Sequence, residues 1–166
     1  MLSFLTPTAK KVALVLLVTF SVLTGPAQAA NSFALGYDLA RQLDQNQDEG
    51  QVNLNFQFAV GRRSAITTEV AVGERIQAYE LGFKRYNEKF LSGSFFQLGV
   101  GYWNGDKDKG AKSKFALEAR TGYELPLTPS LVAFGAVSMV YGPNNPITNE
   151  EKELMFRPHL GLRFHF

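Results

Sequence analysis

Residues 51–60 read QVNLNFQFAV, and the alternation in that decapeptide decides the fold. Val52, Leu54, Phe56, Phe58 and Val60 fall on one face, and Asn53, Asn55, Gln57 and Ala59 on the other. A period of two belongs to an extended strand and not to a helix. One face is greasy and the other carries amides. The last stretch, residues 154–166, repeats the design: Phe156, Pro158, Leu160, Leu162, Phe164 and Phe166 alternate with Arg157, His159, Gly161, Arg163 and His165. Applied along the chain, the same template predicts eight strands, at 32–40, 51–60, 65–73, 77–86, 94–103, 114–125, 131–142 and 154–166. In the seventh, LVAFGAVSMVYG is apolar on both faces, so its inward side stays open.

Composition sets the outer bounds. A chain of 166 residues with 45% hydrophobic residues leaves room for one domain. The absence of Cys excludes a disulfide scaffold, a Cys-ligated zinc centre and a thiol enzyme. With 14 Phe and 6 Tyr the chain is not disordered. Setting Lys10 and Lys11 aside from the 17 basic residues leaves 15, against 15 acidic, so no nucleic-acid footprint is expected.

Those two lysines close a basic leader followed by the uncharged run VALVLLVTFSVLTG at 12–25. The run is too short to span a bilayer as a helix, which takes about 20 residues. Pro26 follows it, and Ala27-Gln28-Ala29 supplies the small-x-small pattern of a signal-peptidase site. Residues 1–29 are thus expected to be a cleaved signal peptide and residues 30–166 an exported domain. No later stretch is apolar enough for a membrane helix, and none shows an amphipathic helical stripe.

The polar stretches RQLDQNQDEG, NGDKDKGAKS and PNNPITNEEKE suit long outer loops, while 61–64 and 126–129 suit tight inner turns. The short link at 74–76 and the longer one at 87–93 break this alternation. Strand lengths near 9 to 11 residues fit tilted membrane strands. An eight-stranded barrel is just wide enough inside for packed side chains, which favours the mixed polar set within and the apolar set without. Aromatics at Phe33, Tyr37, Tyr79, Phe83, Tyr102, Phe115, Tyr123 and Phe166 stand near strand ends on the apolar face, as in an interfacial girdle. In hydrocarbon only a closed barrel pairs every amide of a β structure.

The terminal octapeptide His159-Leu160-Gly161-Leu162-Arg163-Phe164-His165-Phe166 resembles the C-terminal β-signal of bacterial outer-membrane proteins, polar-x-Gly-x-x-aromatic-x-aromatic. With the leader and the eight amphipathic segments, the mature chain resembles the small OmpA/OmpX-like outer-membrane β-barrels. The resemblance implies an all-β, closed, eight-stranded antiparallel transmembrane barrel in a Gram-negative cell envelope. His159, Gly161, Phe164 and Phe166 would then be read by the barrel-assembly machinery, with outer-membrane lipids and lipopolysaccharide as surroundings and a monomer as the state. It implies a route of assembly and no particular activity.

Inward parity gathers Asp38, Glu69, Glu80, Lys84, Glu118, Arg120, Glu124, Arg157, His159, Arg163 and His165. Charges in a narrow lumen must be paired, so Glu69, Glu80 and Glu118 are expected against Arg120, Arg157 and Arg163, with Lys84 in the same network, as a plug. That makes the protein a structural or interaction barrel, without cofactor, metal or enzymatic role. A narrow ion or proton path is the first alternative, and a soluble periplasmic ligand-binding barrel another. Lipid A-modifying enzymes occur on barrels of this size, so His159, His165 and Ser138 form a further constellation to test, although no His-x-Ser pair is present. Asp106-Lys107-Asp108-Lys109-Gly110 echoes the start of a calcium loop but lacks the later ligands, favouring a solvated turn. Pro158 removes a ladder donor and is expected at a bulge or at the outer end of its strand.

Overall fold

The computed structural model describes residues 33–43, 48, 50–143 and 154–166. Its strands are β1 (Phe33–Asp38), β2 (Val52–Gly61), β3 (Ser64–Val72), β4 (Ile76–Tyr86), β5 (Gly93–Gly105), β6 (Lys114–Pro126), β7 (Leu131–Tyr141) and β8 (Met155–His165). Each pairs antiparallel with its sequence neighbour, and β1 pairs with β8 to close the barrel. The closed eight-stranded antiparallel barrel expected from the period-two pattern is therefore the observed fold. The proposed leader at 1–29 lies outside the described residues.

Alternation sorts the side chains as the strands run. Asn53, Asn55, Gln57, Glu69, Lys84, Glu118, Arg120, Arg157 and Arg163 are buried within, while Leu81, Phe83, Leu98, Val100, Leu117, Leu160 and Phe164 stand exposed outside. β7, open in the sequence, turns Val132, Phe134, Ser138 and Val140 inward and Val137, Met139 and Tyr141 outward.

β1 stops at Asp38, two residues before the expected end, because the chain turns into helix α1 (Leu39–Leu43). Asp38 is its N-cap: Oδ1 accepts from the Arg41 amide, three residues on, at 3.2 Å. The Asn53 side chain stands in for a strand partner, accepting from Asp38 N and donating to Asp38 O, both at 2.8 Å. The β1–β8 ladder ends at Asp38↔Gly161. Pro158 lies beyond it on β8, in unbroken register with Val137 of β7. The expected bulge is thus absent there. Leu160 N, on the same strand edge, donates to Asp38 Oδ1 at 3.2 Å, so the donor Pro158 lacks is one that β1 does not reach.

The end bearing Phe33 and Phe166 is called lower, the opposite end upper. The long 87–92 link belongs to the lower end and folds inward, with Phe90 N donating to Arg62 O at 2.9 Å. Leu91, at φ 62°, packs on Ala34 and Val132. The Phe90 ring meets those of Tyr86 and His165, each at 5.9 Å. The link that broke the loop pattern is a stopper. At the upper end, Ile76, Trp103, Ala111 and Val140 form an apolar layer with Met155 packed against it. There the short 73–76 turn closes through Gly73 N to Ile76 O at 2.9 Å. Asp48, from the long β1–β2 connection, accepts from the Arg75 and Ile76 amides at 2.8 Å. Burial raises the Asp48 carboxyl above its ordinary range, against the opposing pull of those amides. Asp106 caps a 3₁₀ turn at Lys107–Lys109 by accepting from Asp108 N, the solvated turn expected of that segment.

Candidate functional site

The lumen between these two apolar layers holds two ionic clusters. In the upper one, Glu69 and Glu80 stand directly opposite each other on β3 and β4. Two carboxylates in that register repel unless cations lie between them. Arg120 supplies one, with Nη1 at 3.1 Å from Glu69 and Nη2 at 3.5 Å from Glu80, and it also meets Glu118 at 2.9 Å. Arg41 supplies the other, bonding to Glu69 through Nη1 and to Glu80 through Nη2 at 3.2 Å, while its Nε donates to Gln51 at 2.7 Å. Arg157 reaches Glu80 at 3.4 Å.

The lower cluster centres on Glu124, which has no exposed surface. Its Oε1 accepts from Lys84 Nζ at 2.5 Å and from Arg163 Nη1 at 2.7 Å, and Oε2 accepts from Tyr86 Oη at 3.0 Å. Lys84 Nζ sits 3.7 Å from the Phe95 ring centroid, and the Arg163 guanidinium 3.6 Å from that of Phe134. Turned with its oxygen toward the cations, the Gln57 amide accepts from Lys84 Nζ at 3.0 Å and Arg163 Nε at 2.7 Å.

All seven residues expected in the lumen network (Glu69, Glu80, Lys84, Glu118, Arg120, Arg157 and Arg163) face inward, but they divide differently from the expected pairing. Arg163 bonds Glu124, not the upper carboxylates, because strand register decides partners and parity does not. Sequence reasoning also missed Arg41, which lies on no strand. The Asp-Leu-Ala-Arg order at 38–41, a capping residue three positions before the arginine, was the available signal. With Arg41 the lumen charges close: Asp38, Glu69, Glu80, Glu118 and Glu124 are matched by Arg41, Lys84, Arg120, Arg157 and Arg163 among the described residues. Between the clusters lies a cavity of about 10 Å³, bordered by Gln57, Thr67, Gln97 and Arg120, room for about one water.

Ser138, His159 and Asp38 come together in the upper lumen. Ser138 Oγ lies 2.8 Å from His159 Nε2, and His159 Nδ1 lies 2.5 Å from Asp38 Oδ2. The carboxylate can only accept, so Nδ1 donates to it and Nε2 is left to accept from the serine hydroxyl. Glu118 Oε1 stands 3.9 Å from Nε2. Across the β7–β8 ladder from Ser138 is Arg157. Its Nε and Nη2, and Trp103 Nε1, are buried without hydrogen-bond partners among the described residues. The Arg157 guanidinium is 5.1 Å from the Trp103 ring. His165, expected near this group, is at the lower end against Phe90.

Of the residues assigned to the assembly signal, His159 faces the lumen and Phe164 faces out. Phe166 lies at the seam, its amide donating to Phe33 O at 3.0 Å. A Cβ on Gly161 would lie 2.0 Å from Tyr37 O and 2.7 Å from the Phe134 ring. Packing alone therefore requires glycine at that position. No protein-family model, curated protein or solved structure matches the chain.

Proposed function

We propose that this protein is an integral outer-membrane barrel of the OmpA/OmpX-like kind, exported through the leader at 1–29 and inserted by way of its C-terminal strand. On this reading its lumen is closed by paired charges, and its polar upper connections are free for surface contacts. The observation that carries the reading is the inversion of the fold: charges paired inside, bare apolar side chains outside. In water, an outer wall presenting Phe83, Phe96, Leu98, Leu117, Phe156 and Phe164 together would be an aggregation site. In hydrocarbon it is the required surface, and the unbroken ladder leaves no unpaired sheet edge around most of the wall.

The closed lumen favours a structural or interaction role over conduction. Apolar layers cover both ends, the charges balance, and the void between the clusters is no larger than about 10 Å³. Lipids and lipopolysaccharide would surround the wall, and the assembly machinery would read the final strand.

Two measurements test the proposal. The protein should fractionate with outer membranes, and unheated and boiled samples should migrate differently in SDS. Recovery in the soluble periplasmic fraction with a single mobility would overturn it. In planar bilayers the wild type should give no conductance above background, and reproducible channels would overturn the closed lumen.

A further inference from the structure

We propose that Ser138, His159 and Asp38 form a serine-nucleophile site for acyl esters of membrane lipids, entered sideways through the gap where β1 ends. The inference rests on the membrane reading above and adds an activity to it. The donor–acceptor order is that of a nucleophile, its base and the acid that orients the base, with both contacts inside hydrogen-bond reach. Asp38 is itself fixed by the amides of Arg41 and Leu160 and by Asn53, as a positioning residue must be. Arg157, opposite Ser138 in register, offers a developing oxyanion two buried N–H groups that have no hydrogen-bond partner among the described residues.

Access comes from the wall. Ser138 has no exposed surface, and the apolar upper layer blocks a soluble substrate. Beyond Asp38↔Gly161, however, β8 has no β1 partner, and Pro158 offers no donor on that edge. The five-residue helix α1 follows there, held by the Asp38 cap and the Arg41 ion pairs. Outside, an apolar groove of about 270 Å³ lined by Leu35, Tyr37, Leu39, Leu54, Leu162 and Phe164 rises to the first residue of that helix. A fatty acyl chain fits the groove by its chemistry, with its ester carried to the gap. In the proposed open form α1 swings out past Asp38, which gives up the Arg41 amide but keeps Leu160 N and His159 Nδ1, while Arg120 and Arg157 stay on Glu69 and Glu80.

The reaction balances without an added oxidant or reductant. Ser138 Oγ forms a bond to the acyl carbon as its proton passes to His159 Nε2. The ester C–O bond then breaks, and Nε2 returns the proton to the departing alkoxide. Water repeats the sequence on the acyl-serine and releases the fatty acid.

The test uses the full chain folded in detergent micelles, with fold and membrane residence scored separately by heat-shifted mobility and membrane fractionation. A fluorophosphonate probe should label the wild type at Ser138. Ser138→Ala should abolish labelling, and His159→Gln should slow it at least about 100-fold. His165→Ala, at the far end of the lumen, should label like the wild type. Long-chain acyl esters in mixed micelles should be cleaved faster than acetyl esters. Folded, membrane-resident protein that neither labels nor cleaves overturns the inference and leaves the membrane reading standing. Labelling that persists in Ser138→Ala, or a preference for acetyl esters, also overturns it. Labelling of a protein found only in the soluble fraction keeps the nucleophile but overturns the lipid substrate and the membrane reading together.

Discussion

Arg41→Ala is the most exacting perturbation of the lumen, because it removes a cation lying between two carboxylates that face each other across a ladder. In the native barrel the side chain is fully buried and bonds Glu69, Glu80 and Gln51. Truncation leaves Arg120 as the one cation bonded to both Glu69 and Glu80, with Arg157 on Glu80 only, and Arg120 already serves Glu118. Removing one partner from a buried ionic network typically costs about 3 to 5 kcal/mol. With a urea slope of about 1 to 3 kcal/mol per molar, the unfolding midpoint should fall by more than about 1 M. Trp103, the sole tryptophan of the chain, is buried against Arg157 and reports unfolding by fluorescence in lipid vesicles. Adding Glu69→Gln should recover part of the loss by relieving the repulsion, with a coupling of about 0.5 to 3 kcal/mol. A loss under about 1 kcal/mol, the range of an exposed pair, would refute the reasoning. So would a double variant weaker than the sum of the singles.

Glu124→Ala should destabilise the barrel more than Glu118→Ala, since it strands Lys84 and Arg163 together, whereas Arg120 keeps Glu69 and Glu80 when Glu118 is lost; paired denaturation curves rank them. Leu162→Arg should cost about 2 to 4 kcal/mol if that position faces hydrocarbon, and folding from urea into vesicles measures it. Phe166→Asp should lower the amount of assembled protein in the membrane, read by immunoblot of heat-shifted species. Asp48, whose carboxyl is raised by burial, holds a proton in the folded chain that the unfolded chain releases, so stability from this group falls as pH climbs through the carboxylate range. Asp48→Asn should flatten that part of a pH series of unfolding midpoints.

What the amino-acid order reveals follows from the physics of a strand. Parity assigns a side to every residue between two turns, so the inward facing of Glu69, Lys84, Arg120 and Arg163 was legible. Register was not, because it depends on where each neighbour begins, and so Arg163 was expected against the upper carboxylates when its partner is Glu124. Arg41 escaped because a helical turn carries no period of two. Ser138 was named beside His159, but its facing was not legible: β7 is apolar on both faces, so nothing in LVAFGAVSMVYG told whether the serine hydroxyl pointed inward or outside. The two histidines of the last strand share a parity, and only the length of the barrel separates them, one against Asp38 and the other against Phe90.

The seam between the first and last strands also sets how the molecule responds to force. Five residue pairs join β1 to β8, against eleven between β4 and β5. The lower ends of both strands lie side by side, where Phe166 meets Phe33. Tension applied to the two ends therefore loads this ladder in unzipping geometry, one pair after another, and never in shear. Its last rungs lie beside Asp38, where the contacts with His159 and Leu160 form the knot at the end of the zip. In a single-molecule pull the barrel should open along this line first, at low force, with a final step whose height reports the Asp38 contacts alone.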